Sequence, residues 1–185
     1  ANQICNMYGL DTISAGVAIA FAMELTEKGI LSPKDTDEIN LRFGDADAML
    51  AMLGKIARRE GFGNLLGEGV WRAAQKIGKG AEKYAMHIKG QELPMHDPRG
   101  KQGLSLSYAT SPTGADHIEA PHDTSFLTEG PALINARPAG VMEPVPALEM
   151  GPRKVRQFVH TQMIWNAFNS MGVCNFAAAP YTAFP

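Results

Sequence analysis

Between residues 12 and 78, apolar side chains recur at every third or fourth position in three successive segments, and each segment closes on a glycine. That period lays one apolar stripe along a helix, and a glycine supplies the turn that ends it. In the first segment Thr12 caps a helix running to about Gly29, with Ile13, Val17, Ala20, Phe21 and Leu25 at helical spacing. Its many small residues, Ala15, Gly16, Ala18 and Ala22 among them, suit close packing on other helices or on a bulky ligand. The second segment starts at Asp45 or Asp47, ends at Gly61 and offers Met49, Met52, Leu53 and Ile56 as its buried stripe. The third, from Asn64 to Gly78, offers Leu66, Val70, Ala73 and Ile77. The pattern is that of helix hairpins.

The texture changes between residues 84 and 100, where alternation like that of a short strand gives way to turns at Pro94 and Asp97-Pro98. A domain boundary or hinge is expected near Gly90, dividing the chain into residues 1–89 and 90–185. Beyond it, a short helix ended by Pro112 and Gly114 delivers Asp116 and His117 onto a loop. Residues 120–152 are dense in proline and read as a long irregular loop, of the kind that often serves a function. A last helix runs from Arg153 to Gly172. The fold class expected is mainly α: bundle-like helical domains with long irregular loops.

The net charge of -2 and pI of about 6.2 give no electrostatic footprint for nucleic acid. No run of about 18 uninterrupted apolar residues is present to cross a membrane. Two cysteines make no disulfide framework, so a reducing, cytoplasmic setting is expected, with no secretory signal peptide ahead of the first motif. The chain opens without Met and ends on the apolar run "AAAPYTAFP", which reads as a piece of a longer polypeptide.

One phrase is written twice. "NMYGLD" at residues 6–11 and "NSMGVC" at 169–174 share Asn-x-x-Gly-aliphatic, the first before a helix and the second after one. Gly9 and Gly172 allow a left-handed turn or close approach to a ligand. Amides freed by such a turn suit a phosphate or a polar heterocycle, Asn6 or Asp11 could accept from a heterocycle's N–H groups, and Cys174 could ligate metal. The alternative is a helix N-cap turn in the first copy and a C-cap glycine in the second. His117, beside Asp116 and near Glu119, could be a general acid/base; it could also join His122 and Asp116 or Asp123 around a metal, or simply decorate the surface. His87, His96 and His160 read as structural, Asp97–Gly100 as a plain turn, and Cys5 as a buried thiol.

The succession "NMYGLDTISAGVAIAFAMELTEKG", "KGQELPMHDPRGKQGLSLSYATSPTGADH" and "NSMGVC" resembles the aldehyde ferredoxin oxidoreductase family over most of the chain. The resemblance implies a fragment of a three-domain enzyme, with residues 1–89 the end of its second domain and 90–185 part of its third, both helical. It implies a tungsten (or molybdenum) bis-pterin cofactor gripped by paired D-x-x-G-L-(D/C) motifs. Asn6, Gly9, Leu10 and Asp11 match the first; Asn169, Gly172, Val173 and Cys174 match the second, with Cys174 as the fourth ligand of a [4Fe-4S] cluster. Asn6 and Asn169 stand where the family usually has Asp, which keeps an acceptor oxygen and loses a charge. His117 falls at the family's active-site histidine. The implied reaction oxidises an aldehyde to a carboxylic acid and passes electrons to ferredoxin. The implied partners are the remaining domains of the parent polypeptide and a second copy in a homo-oligomer. The other cluster cysteines and an active-site glutamate would lie before residue 1, so the piece alone would be inactive. Alternatives are a family member acting on another substrate, such as an aromatic thioester, or a non-catalytic helical scaffold.

Overall fold

A computed structural model describes residues 1–177; the apolar run beyond them lies outside the described residues. Of the described residues 59% are helical and 2% strand, so the mainly-α expectation holds. It divides into two compact units, Ala1–Met95 and His96 onward, the division falling after the hairpin that turns at Gly90.

The first unit contains α1 (Asn2–Tyr8), α2 (Thr12–Glu27), α3 (Ala46–Arg58), α4 (Gly61–Leu66) and α5 (Val70–Ile77). A two-stranded antiparallel hairpin, β1 (His87–Ile88) and β2 (Gln91–Glu92), follows. Most of the expected stripes meet in one core: Met52, Leu53 and Ile56 of α3, Leu66 of α4, Val70 and Ala73 of α5 and Phe21 and Leu25 of α2 are buried together, with Ile19 added to them; Val17, Met49 and Ile77 are partly buried at its edge, and Ile13 is exposed. α4 folds back tightly on α3. A Cβ at Gly63 would sit 2.4 Å from the carbonyl carbon of Lys55, so only glycine fits there.

Two expectations need correction here. The cap of α2 is Asp11 rather than Thr12: its carboxylate accepts from the Ser14 amide at 2.6 Å, and Thr12 is already the first helical residue. The segment from Asn64 to Gly78 is not one helix. It breaks at Gly67–Gly69, where Gly69 adopts φ 87° and redirects the chain, and α5 restarts with the Val70 amide donating to the Glu92 carboxylate at 2.8 Å. Glu92 is 7% exposed and comes from β2, so a partner 22 residues away decides the break.

The second unit contains α6 (Gln102–Thr110), α7 (Pro131–Ala136) and α8 (Pro152–Ser170), with α6 packed against α8. Residues 120–152 are less irregular than expected. Pro131 and Pro152 begin helices, at the one helical position where a missing N–H costs nothing. Phe126, Leu133, Ala136 and Val141 form a small core against Ile164 of α8.

What ties this unit together is charged. Asp123 (3% exposed) accepts from the Gly103 and Leu104 amides at 2.9 and 3.1 Å, starting α6, and from the ammonium of Lys154 (1% exposed) on α8. Lys154 also donates to Gln157 Oε1 at 3.0 Å. Breaking a buried pair by removing one partner strands the other charge, at about 3–5 kcal/mol. The Lys154→Met variant should lose stability on that order in urea unfolding, with the loss largely restored by adding Asp123→Asn.

Candidate functional site

The repeated phrase folds twice into the same turn. In the first copy Gly9 has φ 66° and the Leu10 amide donates back to the Cys5 carbonyl at 2.9 Å. In the second Gly172 has φ 70° and the Val173 amide donates back to the Phe168 carbonyl at 3.0 Å. Both therefore end a helix on a left-handed glycine, with the following amide reaching five residues back. The first copy sits before a helix as expected, Asp11 starting α2, and Asn6 itself lies inside α1. Where the first copy places Asp11, the second places Cys174, an exposed free thiol whose carbonyl accepts from Ala177 at 2.9 Å.

The first turn opens on a cavity of about 310 Å³. Gly9, Leu10 and Asp11 line it, with Ser14, Gly69 and Glu92 opposite or beside them; Asn6 does not. A Cβ at Gly9 would meet nothing within 4 Å, so the turn leaves backbone accessible. Asp11 Oδ1 and Glu92 Oε1 each accept one helix amide. The cavity is thus rich in carboxylate acceptors, a donor set suited to the N–H and amino groups of a flat heterocycle.

His117 stands in the second unit within a cluster of three half-buried imidazoles. Its ring stacks on His96 at 4.9 Å between centroids, and His122 meets His96 edge-on at 4.4 Å. The Lys101 ammonium lies 3.0 Å from His122 Nδ1 and 3.4 Å from His96 Nδ1, while His122 Nε2 lies 3.3 Å from the His117 carbonyl. Buried Tyr108 donates to the His96 carbonyl at 3.2 Å and fixes that strand of chain. Burial pushes the pKa values of His96 and His122 down, and the Lys101 charge pushes them further. A neutral imidazole is what can accept from an ammonium, so geometry and charge agree.

His96 was expected to be structural; it belongs to this cluster. Three of the five histidines fall within residues 96–122, on both sides of one helix, and that density was the available signal. The metal grouping of His117 and His122 with an aspartate is not realised. Asp123 is committed to Lys154 and α6, Asp116 accepts from the Ile118 amide at 2.7 Å, and among the described residues no three candidate ligands converge. Cys174 is followed by Asn175, which lines the same cavity as the imidazoles and donates to the Ile118 carbonyl at 3.3 Å.

With twin helix-ending turns, an acceptor-lined cavity and an imidazole cluster in place, the sequence relatives acquire meaning. The profile of aldehyde ferredoxin oxidoreductase, domains 2 and 3, matches residues 1–184, and the chain belongs to that family. The tungsten-containing aldehyde ferredoxin oxidoreductase of Pyrococcus horikoshii is 36% identical over 95% of this chain and 27% of its own length. That of Thermococcus kodakarensis is 42% identical over 64% of this chain and 20% of its own. An aliphatic sulfonate oxidoreductase, WOR-like subunit, of Pyrococcus furiosus is 41% identical over 59% of this chain and 18% of its own. The chain thus spans about a quarter of the length of the first of these relatives.

Lowered imidazole pKa values make stability depend on pH with a definite sign. As pH falls through the ordinary imidazole range near about 6.5, the unfolded chain binds protons that the folded one refuses, so stability drops. The urea midpoint should fall between pH 7.5 and 5, and His122→Asn should flatten that fall.

Proposed function

We propose that this chain is the part of a tungsten (or molybdenum) oxidoreductase that holds one pterin at its first turn and supplies His117 for proton transfer, in the oxidation of an aldehyde to a carboxylic acid. The observation that carries the reading is the pair of turns with the same left-handed glycine and the same backbone hydrogen bond, one of them opening on the carboxylate-lined cavity at Gly9–Asp11. A cavity of about 310 Å³ is within the range of small-molecule sites. Its acceptors and accessible backbone fit a pterin edge, with Asp11 as the principal acceptor and Leu10 against the ring. When bound, the metal–pterin group would supply the two-electron redox chemistry.

Converting an aldehyde and water to an acid releases two protons and two electrons. His117, with two imidazoles packed around it, is the group on this chain to take or return a proton during that exchange. Ferredoxin would accept the electrons. A cubane cluster needs four ligands, and Cys174 is an exposed thiol able to be one. Cys5 is buried in the core of the first unit, so these 185 residues do not hold a cluster by themselves.

Full-length protein purified without oxygen should contain tungsten or molybdenum by mass spectrometry; its absence from protein that is otherwise folded would overturn the reading. Asp11→Asn keeps the cap acceptor for Ser14, and should lower pterin-bound metal per chain with little change in unfolding midpoint. His117→Asn should leave metal content intact and lower kcat by about 100-fold or more, the usual scale of a lost acid/base.

A further inference from the structure

The imidazole cavity, about 380 Å³, does not end at the histidines. A second cavity of about 470 Å³ adjoins it, and the two share Pro121, Ser125, Trp165, Asn175 and Phe176. The second is walled by Phe126, Pro131, Ala136, Ile164 and Trp165. Thr161 and Asn135 also line it; the Thr161 hydroxyl donates to the Gln157 carbonyl of its own helix at 2.9 Å, which leaves the Asn135 amide as the polar group on that wall. Trp165 is half-buried and braced edge-on by Phe168 at 6.1 Å, a rigid flat wall at the junction. The imidazoles therefore gather at one end, and apolar side chains dominate the other, with Asn135 on its wall.

We infer that these two cavities form one amphipathic site, which takes the carbonyl or carboxylate group of a ligand at His96 and His117 and its aryl or branched-alkyl side chain against Trp165 and Ile164. The identity of the polar group rests on the aldehyde chemistry proposed above; the preference for a bulky apolar side chain rests on the cavity alone. A two-carbon ligand would leave the apolar end unfilled. An aryl group two or three bonds from the carboxylate would fill it, since aromatic faces offer large burial at little entropic cost. Trp165 is then the specificity-determining residue.

The test is calorimetric binding of 3-phenylpropionate and of acetate to the full-length protein, with whatever cofactor it carries and no electron acceptor, so that nothing turns over. The aryl acid should bind at least ~10-fold more tightly than acetate, the scale of one well-filled apolar pocket. Trp165→Ala should erase that difference, while Trp165→Phe should keep most of it, with unchanged circular dichroism in both. Equal affinities for the two acids, or a preference that survives Trp165→Ala, would overturn the inference. The two readings fail separately: protein without tungsten or molybdenum that still prefers the aryl acid loses the activity and keeps the cavity, and metal-loaded protein without the preference does the reverse.

Discussion

Short helices cannot satisfy their own first amides, and in this chain carboxylates from distant segments do it for them. α4, α5 and α6 have six, eight and nine residues, with up to four unpaired N–H groups at each start. Asp37 accepts from Phe62, Glu92 from Val70, and Asp123 from Gly103 and Leu104, across 19 to 25 residues of sequence. Each carboxylate lies against a glycine. A Cβ at Gly61, Gly69 or Gly103 would come within 2.2, 2.7 or 2.9 Å of its oxygens. The glycine is therefore the vacancy that admits the cap, and cap and glycine specify the helix start together. Because the carboxylate sits on another element, the same bond that begins a helix also fixes where that element docks.

This explains which features the sequence disclosed. Met52, Leu53 and Ile56 were legible because a stripe depends only on neighbours within one helix. The break at Gly67–Gly69 was not, because nothing within that segment distinguishes a tolerated glycine from one opposite Glu92. Asp123 was weighed as a metal ligand for the same reason: its partner Lys154 lies 31 residues away. Proline density makes residues 120–152 read as an irregular loop, yet Pro131 and Pro152 each open a helix, because a proline at the first helical position gives up no intrahelical bond.

The repeated phrase was legible as a repeat and ambiguous as a structure. Its glycine fixes a left-handed turn in both copies, so the backbone echo follows from the sequence echo. What differs is the residue two positions on. Asp11 caps a 16-residue helix, whereas Cys174 begins a three-residue 3-10 turn and keeps its thiol exposed. One geometry thus presents a carboxylate in one unit and a thiol in the other.

The imidazole cluster follows a different logic, in which chemistry is set by what a neighbour forbids. Lys101 reaches two ring nitrogens, and an ammonium at 3.0–3.4 Å requires each to present a lone pair. His96 and His122 are thereby held as neutral acceptors, their charged forms opposed by burial and by the lysine. Their rings pack on His117 at 4.9 and 5.8 Å and restrict its orientation. A single histidine on a loop has several rotamers open to it. Three in mutual contact, two of them pinned, convert a loop residue into a positioned one, and the lysine that pins them is the element that sequence inspection passed over.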